Sequence, residues 1–348
     1  MKPMRILILG GTVFVGRAAT GAAISRGHEV THFNRGRSAP PDPRVETLPG
    51  DRGDALVLRK ALDARSWDAV IDTSGYLPQV VRLSAEALRE RVARYLFVSS
   101  ISVYASFDRN GFDEDAAVCP APDPLADAMT SESYGPLKAA CESVVRHAFG
   151  ERATIVRPGL IVGPHDPTDR FTYWTARVAR GGRVAAPGRP ARRIQLIDAR
   201  DLAEWMVRLL EANVAGTFNA SGPREPLAMC ELLETCQAVS GSDARFEWIG
   251  DQALLRHDIV PWKDMPLWIP EADGALRGFM AATLRRALAH GLQYRALAAT
   301  VADTLAWSRT RVPDWAWKAG LTPDRERALL ESAQTGSAPS SAPPRRAG

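Results

Sequence analysis

The chain has 348 residues, 45% hydrophobic and 24% charged, a composition with room for one large core and a smaller lobe. Its 44 basic and 40 acidic side chains nearly balance, and the arginines are scattered apart from Arg189, Arg192, Arg193 and the pair Arg345 and Arg346, so no nucleic-acid partner is expected. No signal-peptide pattern opens the chain and no apolar run approaches the ~20 residues that span a bilayer, so the expectation is a cytoplasmic protein that does not bind membranes.

Short β-rich apolar runs alternate with longer amphipathic ones through the first 220 residues. Strands are predicted at 5–9, 29–33, 44–48, 69–73, 94–99 and 154–157, and helices at 15–26, 54–64, 80–91 and 137–149. Such alternation builds βαβ units and a parallel sheet covered on both faces. Runs such as Ala69-Val70-Ile71 and Leu96-Phe97-Val98 suit strands buried on both sides. Beyond Gly163 and Pro164 a helix is predicted over 170–180 and strands over 193–197 and 217–220. From Pro226 onward helices dominate. The resulting fold class is α/β, a doubly wound parallel sheet with a smaller, mainly helical C-terminal lobe for substrate. Residues 1–165 and about 190–225 form the first domain, and 166–189 with 226–334 the lobe. Residues 335–348 are rich in Ser, Pro and Ala and read as a disordered tail. Cys119, Cys141, Cys230 and Cys236 form no CxxC pair, and the histidines form no HExxH cluster, so no metal site is expected.

The first predicted strand runs directly into Gly10-Gly11-Thr12-Val13-Phe14-Val15-Gly16 and a helix. A glycine turn at a helix N-terminus offers backbone N–H groups and the positive dipole end to a pyrophosphate. Gly10, Gly11, Thr12, Phe14, Val15 and Gly16 are therefore assigned to a dinucleotide. After the second strand come Asn34, Arg35 and Arg37, with no carboxylate to grip a ribose 2′-hydroxyl. The arginines suit a 2′-phosphate instead, which favours NADP over NAD. Asn34, Arg35, Asp51, Arg52 and Ser74 complete the expected cofactor contacts.

Tyr134-Gly135-Pro136-Leu137-Lys138 opens the helix after the fifth strand, and Ser100 follows that strand's end. Pro136 is tolerated only near a helix start, which puts Tyr134 in or just before the first turn. Bringing a tyrosine from its reference pKa of ~10 toward neutrality costs ~4 kcal/mol. An ammonium about 4 Å away supplies ~4 kcal/mol at an effective dielectric of ~20. Lys138, one helical turn on, is the expected source. Ser100 would hydrogen-bond the substrate oxygen whose proton Tyr134 handles.

These residues make the sequence similar to the extended short-chain dehydrogenase/reductases, the NAD-dependent epimerase/dehydratase family, with their Rossmann domain. The resemblance covers residues 4–225 and rests on Gly10 to Gly16, the run Phe97 to Tyr104, Tyr134 to Lys138 with Glu142, and Arg157-Pro158 leading to Gly163-Pro164. It implies catalytic roles for Ser100, Tyr134 and Lys138, cofactor contacts at Tyr134, Lys138 (to the cofactor ribose) and Pro158, a small-molecule substrate and a homodimer. Val13 stands where the family has a loop glycine, as in an atypical branch with nucleic-acid-binding members. Ile101 and Ser102 replace the Asp and Glu of sugar dehydratases, Leu160 replaces an Asn of sugar-nucleotide epimerases, and residues 197–201 depart from the usual His-Val-Asp-Asp. The expected reaction is hydride transfer at a carbonyl or alcohol of a small metabolite. The alternatives are epimerisation with retained cofactor and a non-catalytic, nucleic-acid-binding role. His165, Arg170 and Tyr173 are candidate substrate contacts, and Trp262, Trp268 and Phe279 either line a pocket or fill the core.

Overall fold

A computed structural model describes residues 2–37, 40, 42–122, 129–312 and 314–335. Seven parallel strands form the central sheet in the order β3-β2-β1-β4-β5-β6-β11. They are β1 (Arg5–Leu9), β2 (Glu29–Asn34), β3 (Glu46–Pro49), β4 (Trp67–Asp72), β5 (Val92–Val98), β6 (Ala153–Pro158) and β11 (Gly216–Ala220). Between β6 and β11 the chain makes the short strands β7 (Leu160–Val162), β8 (Arg183–Pro187), β9 (Arg193–Ile194) and β10 (Leu196–Asp198).

The period-2 pattern of β1 divides the core. Ile6 and Ile8 face the layer built by α1 (Phe14–Ser25) and α6 (Ala199–Glu211), with Ala19, Ala23 and Trp205. Leu7 and Leu9 face the opposite layer, built by α2 (Ala55–Leu62), α3 (Pro78–Leu88) and α4 (Tyr134–Phe149). No residue of β1 after Arg5 is exposed, which explains its continuous apolar run. Arg26 ties α1 to α6 through Glu204 and Glu211, both at 2.6 Å.

A separate core joins α5 (Thr172–Ala179) and β8 to the C-terminal third, with Trp174 and Trp268 at its centre. There α7 (Met229–Ser240) follows β12 (Leu227–Ala228), and β13 (Arg245–Ile249) pairs with β8. Helices α8 (Asp251–Arg256), α9 (Arg285–Ala289), α10 (Leu297–Ser308) and α11 (Pro323–Thr335) complete the chain. The expected tail falls outside the described residues from 336 onward, and Thr335 ends α11.

The strand expected over 193–197 is two strands. β9 pairs antiparallel with β12, whereas β10 pairs parallel with β7. Gln195 sits at the switch, its amide bonded to both the carbonyl and the N–H of Ala282. Among the described residues no helix is long and apolar enough to cross a membrane.

Candidate active site

The sheet's strand order reverses between β1 and β4, and a cleft of about 440 Å³ opens there at the carboxyl ends of the strands. The Gly10 N–H donates to Phe33 O at 3.0 Å, folding the loop back onto β2. A Cβ on Gly16 would lie 2.6 Å from the Gly11 backbone nitrogen, so α1 can seat itself on the loop only with glycine there. Val13 caps α1 in an extended conformation without a side-chain hydrogen bond, and while its carbonyl accepts from Gly16 N at 3.0 Å, the Phe14 and Val15 N–H groups are left for an anion. Phe14 holds a left-handed backbone, φ 39°, at the mouth of this cradle.

Gly10, Gly11, Thr12, Phe14, Val15, Gly16, Asn34, Arg35, Asp51, Arg52 and Ser74 all line the cleft. Three of them carry structural duties as well. The Asn34 amide donates to Gly10 O at 3.1 Å and its oxygen accepts from Gly36 N at 2.8 Å. Ser74 Oγ donates to Leu9 O at 3.1 Å. The Arg52 guanidinium grips Asp72 at 2.6 and 2.8 Å and reaches Ser84 and Ser74. Arg35 is exposed and stands 3.9 Å from the equally exposed Asp51. Pro158 is buried at the end of β6 and does not line the cleft. An uncapped helix N-terminus, a tight glycine loop and a cleft at the switch point together fit a dinucleotide.

Ser100 leaves β5 and caps the 3₁₀ turn Ile101–Val103, its Oγ accepting from Ser102 N at 3.1 Å. Tyr134 is the first residue of α4, as Pro136 required, and Lys138 lies one turn further in. Gly135 explains how Tyr134 comes so near: a Cβ there would sit 2.2 Å from Ser102 O. Ser100 lies near enough to Tyr134 for its hydroxyl to act on the phenol. Glu142, farther along α4, accepts from Ser99 Oγ at 2.6 Å and from Arg157 at 2.9 and 2.7 Å, locking the helix to β5 and β6.

The electrostatics differ from the expectation that Lys138 lowers Tyr134. Burial raises the Tyr134 phenol above its ordinary value, against the opposing influence of the Ser100 hydroxyl. Lys138 is fully enclosed, and its ammonium donates to Gly75 O at 2.8 Å and Val98 O at 2.6 Å. Burial lowers Lys138 from 10.5 to about 8. Its charge is satisfied by carbonyl dipoles, so the phenol stays protonated.

The three substrate candidates separate. Arg170 is half-buried, its charge acts on Tyr134, and its guanidinium lies 5.7 Å from the Trp262 ring centroid. His165 instead meets the Trp307 ring at a tilted angle, centroids 5.2 Å apart, and borders a second groove between α1 and α6. Tyr173 is buried in the lobe core against Trp174 and Gly320, because α5 turns it inward. Trp268 is fully buried, whereas Trp262 and Phe279 are half-buried and meet edge to face at 5.3 Å.

Sequence reasoning missed Tyr76. Its ring lines the cleft, lies 5.4 Å from Lys138 Nζ, and its hydroxyl acts electrostatically on Tyr134. A lone tyrosine in a loop after β4 carries no spacing signal, and only the fold brings it to α4.

The sequence pattern of the NAD dependent epimerase/dehydratase family matches residues 6–221. The chain belongs to that family. It is 29% identical over 255 residues to the chloroplast stem-loop binding protein of 41 kDa b of Arabidopsis thaliana, covering 68% of this chain and 63% of that protein. It is also 29% identical over 183 residues to a dTDP-6-deoxy-L-talose 4-dehydrogenase (NAD(P)(+)) of Kitasatospora kifunensis, 47% of this chain and 55% of that one. The chain thus aligns with less than two thirds of the length of either relative. Among solved structures, a putative epimerase from Burkholderia cenocepacia superposes with a TM-score of 0.69 at 22% identity, covering 89% of this chain and all of that one. At that identity the likeness is one of fold.

Proposed function

We propose that this chain is an NAD(P)-dependent oxidoreductase of the short-chain dehydrogenase/reductase type, acting on a carbonyl or alcohol of a small metabolite. The observation that carries the reading is the convergence of Ser100 at the end of β5 with Tyr134 and the buried ammonium of Lys138 one turn apart on α4, with the Tyr76 ring between Lys138 and the dinucleotide cleft. A bound nicotinamide supplies or accepts the hydride. The chain's own task is the proton on the substrate oxygen. Tyr134, kept protonated by burial, is prepared to donate that proton as the oxygen gains charge, which suits carbonyl reduction. Ser100 holds the same oxygen and aligns it with the phenol. Lys138, still charged below about pH 8, stabilises negative charge arising near α4. Arg35 at the open end of the cleft, with no acidic residue at the end of β2, supports NADP as the preferred cofactor.

Tyr134→Phe should abolish substrate-dependent oxidation of the reduced nicotinamide while leaving cofactor affinity within about twofold, a change below ~0.5 kcal/mol; undiminished turnover would refute the mechanism. Arg35→Ala should weaken NADPH binding more than NADH binding, and equal losses would refute the phosphate assignment. Epimerisation is the second reading, favoured by the family to which the chain belongs. It would show as stereochemical inversion with no net change in nicotinamide absorbance. A nucleic-acid role like that in the name of the Arabidopsis relative would show as RNA binding that survives Tyr134→Phe.

A further inference from the structure

Several enclosed or half-buried arginines among the described residues have carboxylate partners, and others, such as Arg94, Arg152 and Arg208, bond to amide or carbonyl oxygens, whereas Arg170, beside the candidate active site, has neither. Arg52 holds Asp72 at 2.6 Å, Arg157 holds Glu142 at 2.7 Å, Arg177 holds Glu326 at 2.5 Å and Arg311 holds Asp169 at 2.7 Å. Arg170 is half-buried and has neither an ion pair within 4.0 Å nor a hydrogen bond among the described residues. Its partner is an aromatic face, Trp262 at 5.7 Å. Trp262 continues a row of edge-to-face rings through Phe279 at 5.3 Å and Phe107 at 5.0 Å. Asp166 is near enough to interact with Arg170 but makes no ion pair with it; one oxygen accepts from Thr168 and the other is buried without a partner.

The loop that presents Arg170 is held firmly. The neighbouring Asp169 is fully buried, with φ 63°. Its carboxylate accepts from Trp315 Nε1 and Lys318 N, both at 3.0 Å, besides pairing with Arg311. The Arg311 guanidinium lies 4.1, 4.3 and 5.4 Å from the rings of Trp307, Trp315 and Trp317. A rigid mount thus delivers a cation without an ion pair into a partly dry, aromatic setting. A guanidinium there has lost part of its hydration and retains its five donors.

We infer that Arg170 is the recognition group for an anionic substituent, carboxylate or phosphate, carried by the substrate close to the carbonyl that Ser100 and Tyr134 address. This rests on the oxidoreductase reading and narrows it to small oxo or hydroxy compounds bearing a negative group. The aromatic row beginning at Trp262 excludes water on one side of the guanidinium, so the charge-assisted hydrogen bonds form in a lower dielectric than at the surface.

The test uses the full chain saturated with NADPH or NADH. Binding is measured by calorimetry for a panel of 2-oxo acids, each against its primary amide, and for dihydroxyacetone phosphate against dihydroxyacetone. At least one anion should bind more tightly than its neutral counterpart by about 10- to 100-fold, the range of hydrogen bonds to charged groups. The acid and phosphate arms separate the two anion classes. Arg170→Gln should erase the preference while cofactor affinity is unchanged, and Arg170→Lys should retain part of it. A panel in which no anion outbinds its neutral partner, through equal binding or none, overturns the inference. So does a preference that survives Arg170→Gln. Failure of the nicotinamide to bind at all would instead overturn the oxidoreductase reading, and the two failures are read from separate titrations.

Discussion

At the scale of single residues, small steric and electrostatic demands set the site. Gly135 lets Tyr134 approach Ser100, because a Cβ there would meet Ser102 O at 2.2 Å. Gly135→Ala must push α4 outward, so turnover should fall by at least about tenfold, ~1.4 kcal/mol in the barrier, with cofactor affinity nearly intact. Steady-state kinetics beside a cofactor titration would check the split. Asp166 offers a stability prediction. Burial raises its carboxyl from 3.8 to about 6, so the folded state holds the proton through that window. Stability therefore falls as pH rises from about 4 to about 6, and the penalty persists above, amounting to as much as ~3 kcal/mol. Asp166→Asn keeps an oxygen for Thr168 and removes the charge. It should be more stable than the parent at pH 8 and show a flatter pH dependence below pH 6 in denaturant titrations. The YxxxK spacing and the glycine loop were legible because each is confined to a few consecutive positions. The electrostatic sign at Tyr134 was not, since the two carbonyls that receive Lys138 come from separate elements, Gly75 in the turn after β4 and Val98 at the end of β5.

At the scale of elements, two buried ion pairs brace the strands that carry the site. Asp72, at the end of β4, is fully enclosed and is satisfied by Arg52, by the Tyr95 hydroxyl at 2.7 Å and by Ser74 N at 3.1 Å. Burial alone would raise its carboxyl, and the Arg52 charge more than offsets this. Arg52→Met would strand that carboxylate and should cost about 3–5 kcal/mol, whereas Arg52→Met with Asp72→Leu should recover much of the loss. A double-mutant cycle in urea measures the difference. Glu142 and Arg157 do for α4 and β6 what this pair does for β3 and β4. The central strands and their crossover helices were readable to within a few residues because buried parallel strands leave unbroken apolar runs. The region 193–198 misled for a physical reason: a continuous extended run does not reveal that Gln195 hands it from one partner to another.

At the scale of the molecule, the doubly wound sheet and the glycine cradle followed from the order of elements along the chain. The site's outer wall did not, because Arg170, Trp262 and Tyr76 are far apart in sequence and share no repeat. The C-terminal segment is joined to that wall through Arg311, which holds the loop bearing Arg170. Arg311→Ala leaves the buried Asp169 charge without its cation and should destabilise the protein by about 3 kcal/mol or more. It should also weaken anion discrimination without touching the cleft at Gly10 to Gly16, as thermal melts and binding titrations would show. The same cation is surrounded by three of the protein's nine tryptophans. Their ultraviolet emission senses the polarity around that anchored guanidinium, so the protein carries a built-in optical gauge of the loop bearing Arg170, readable during ligand titrations without any attached dye.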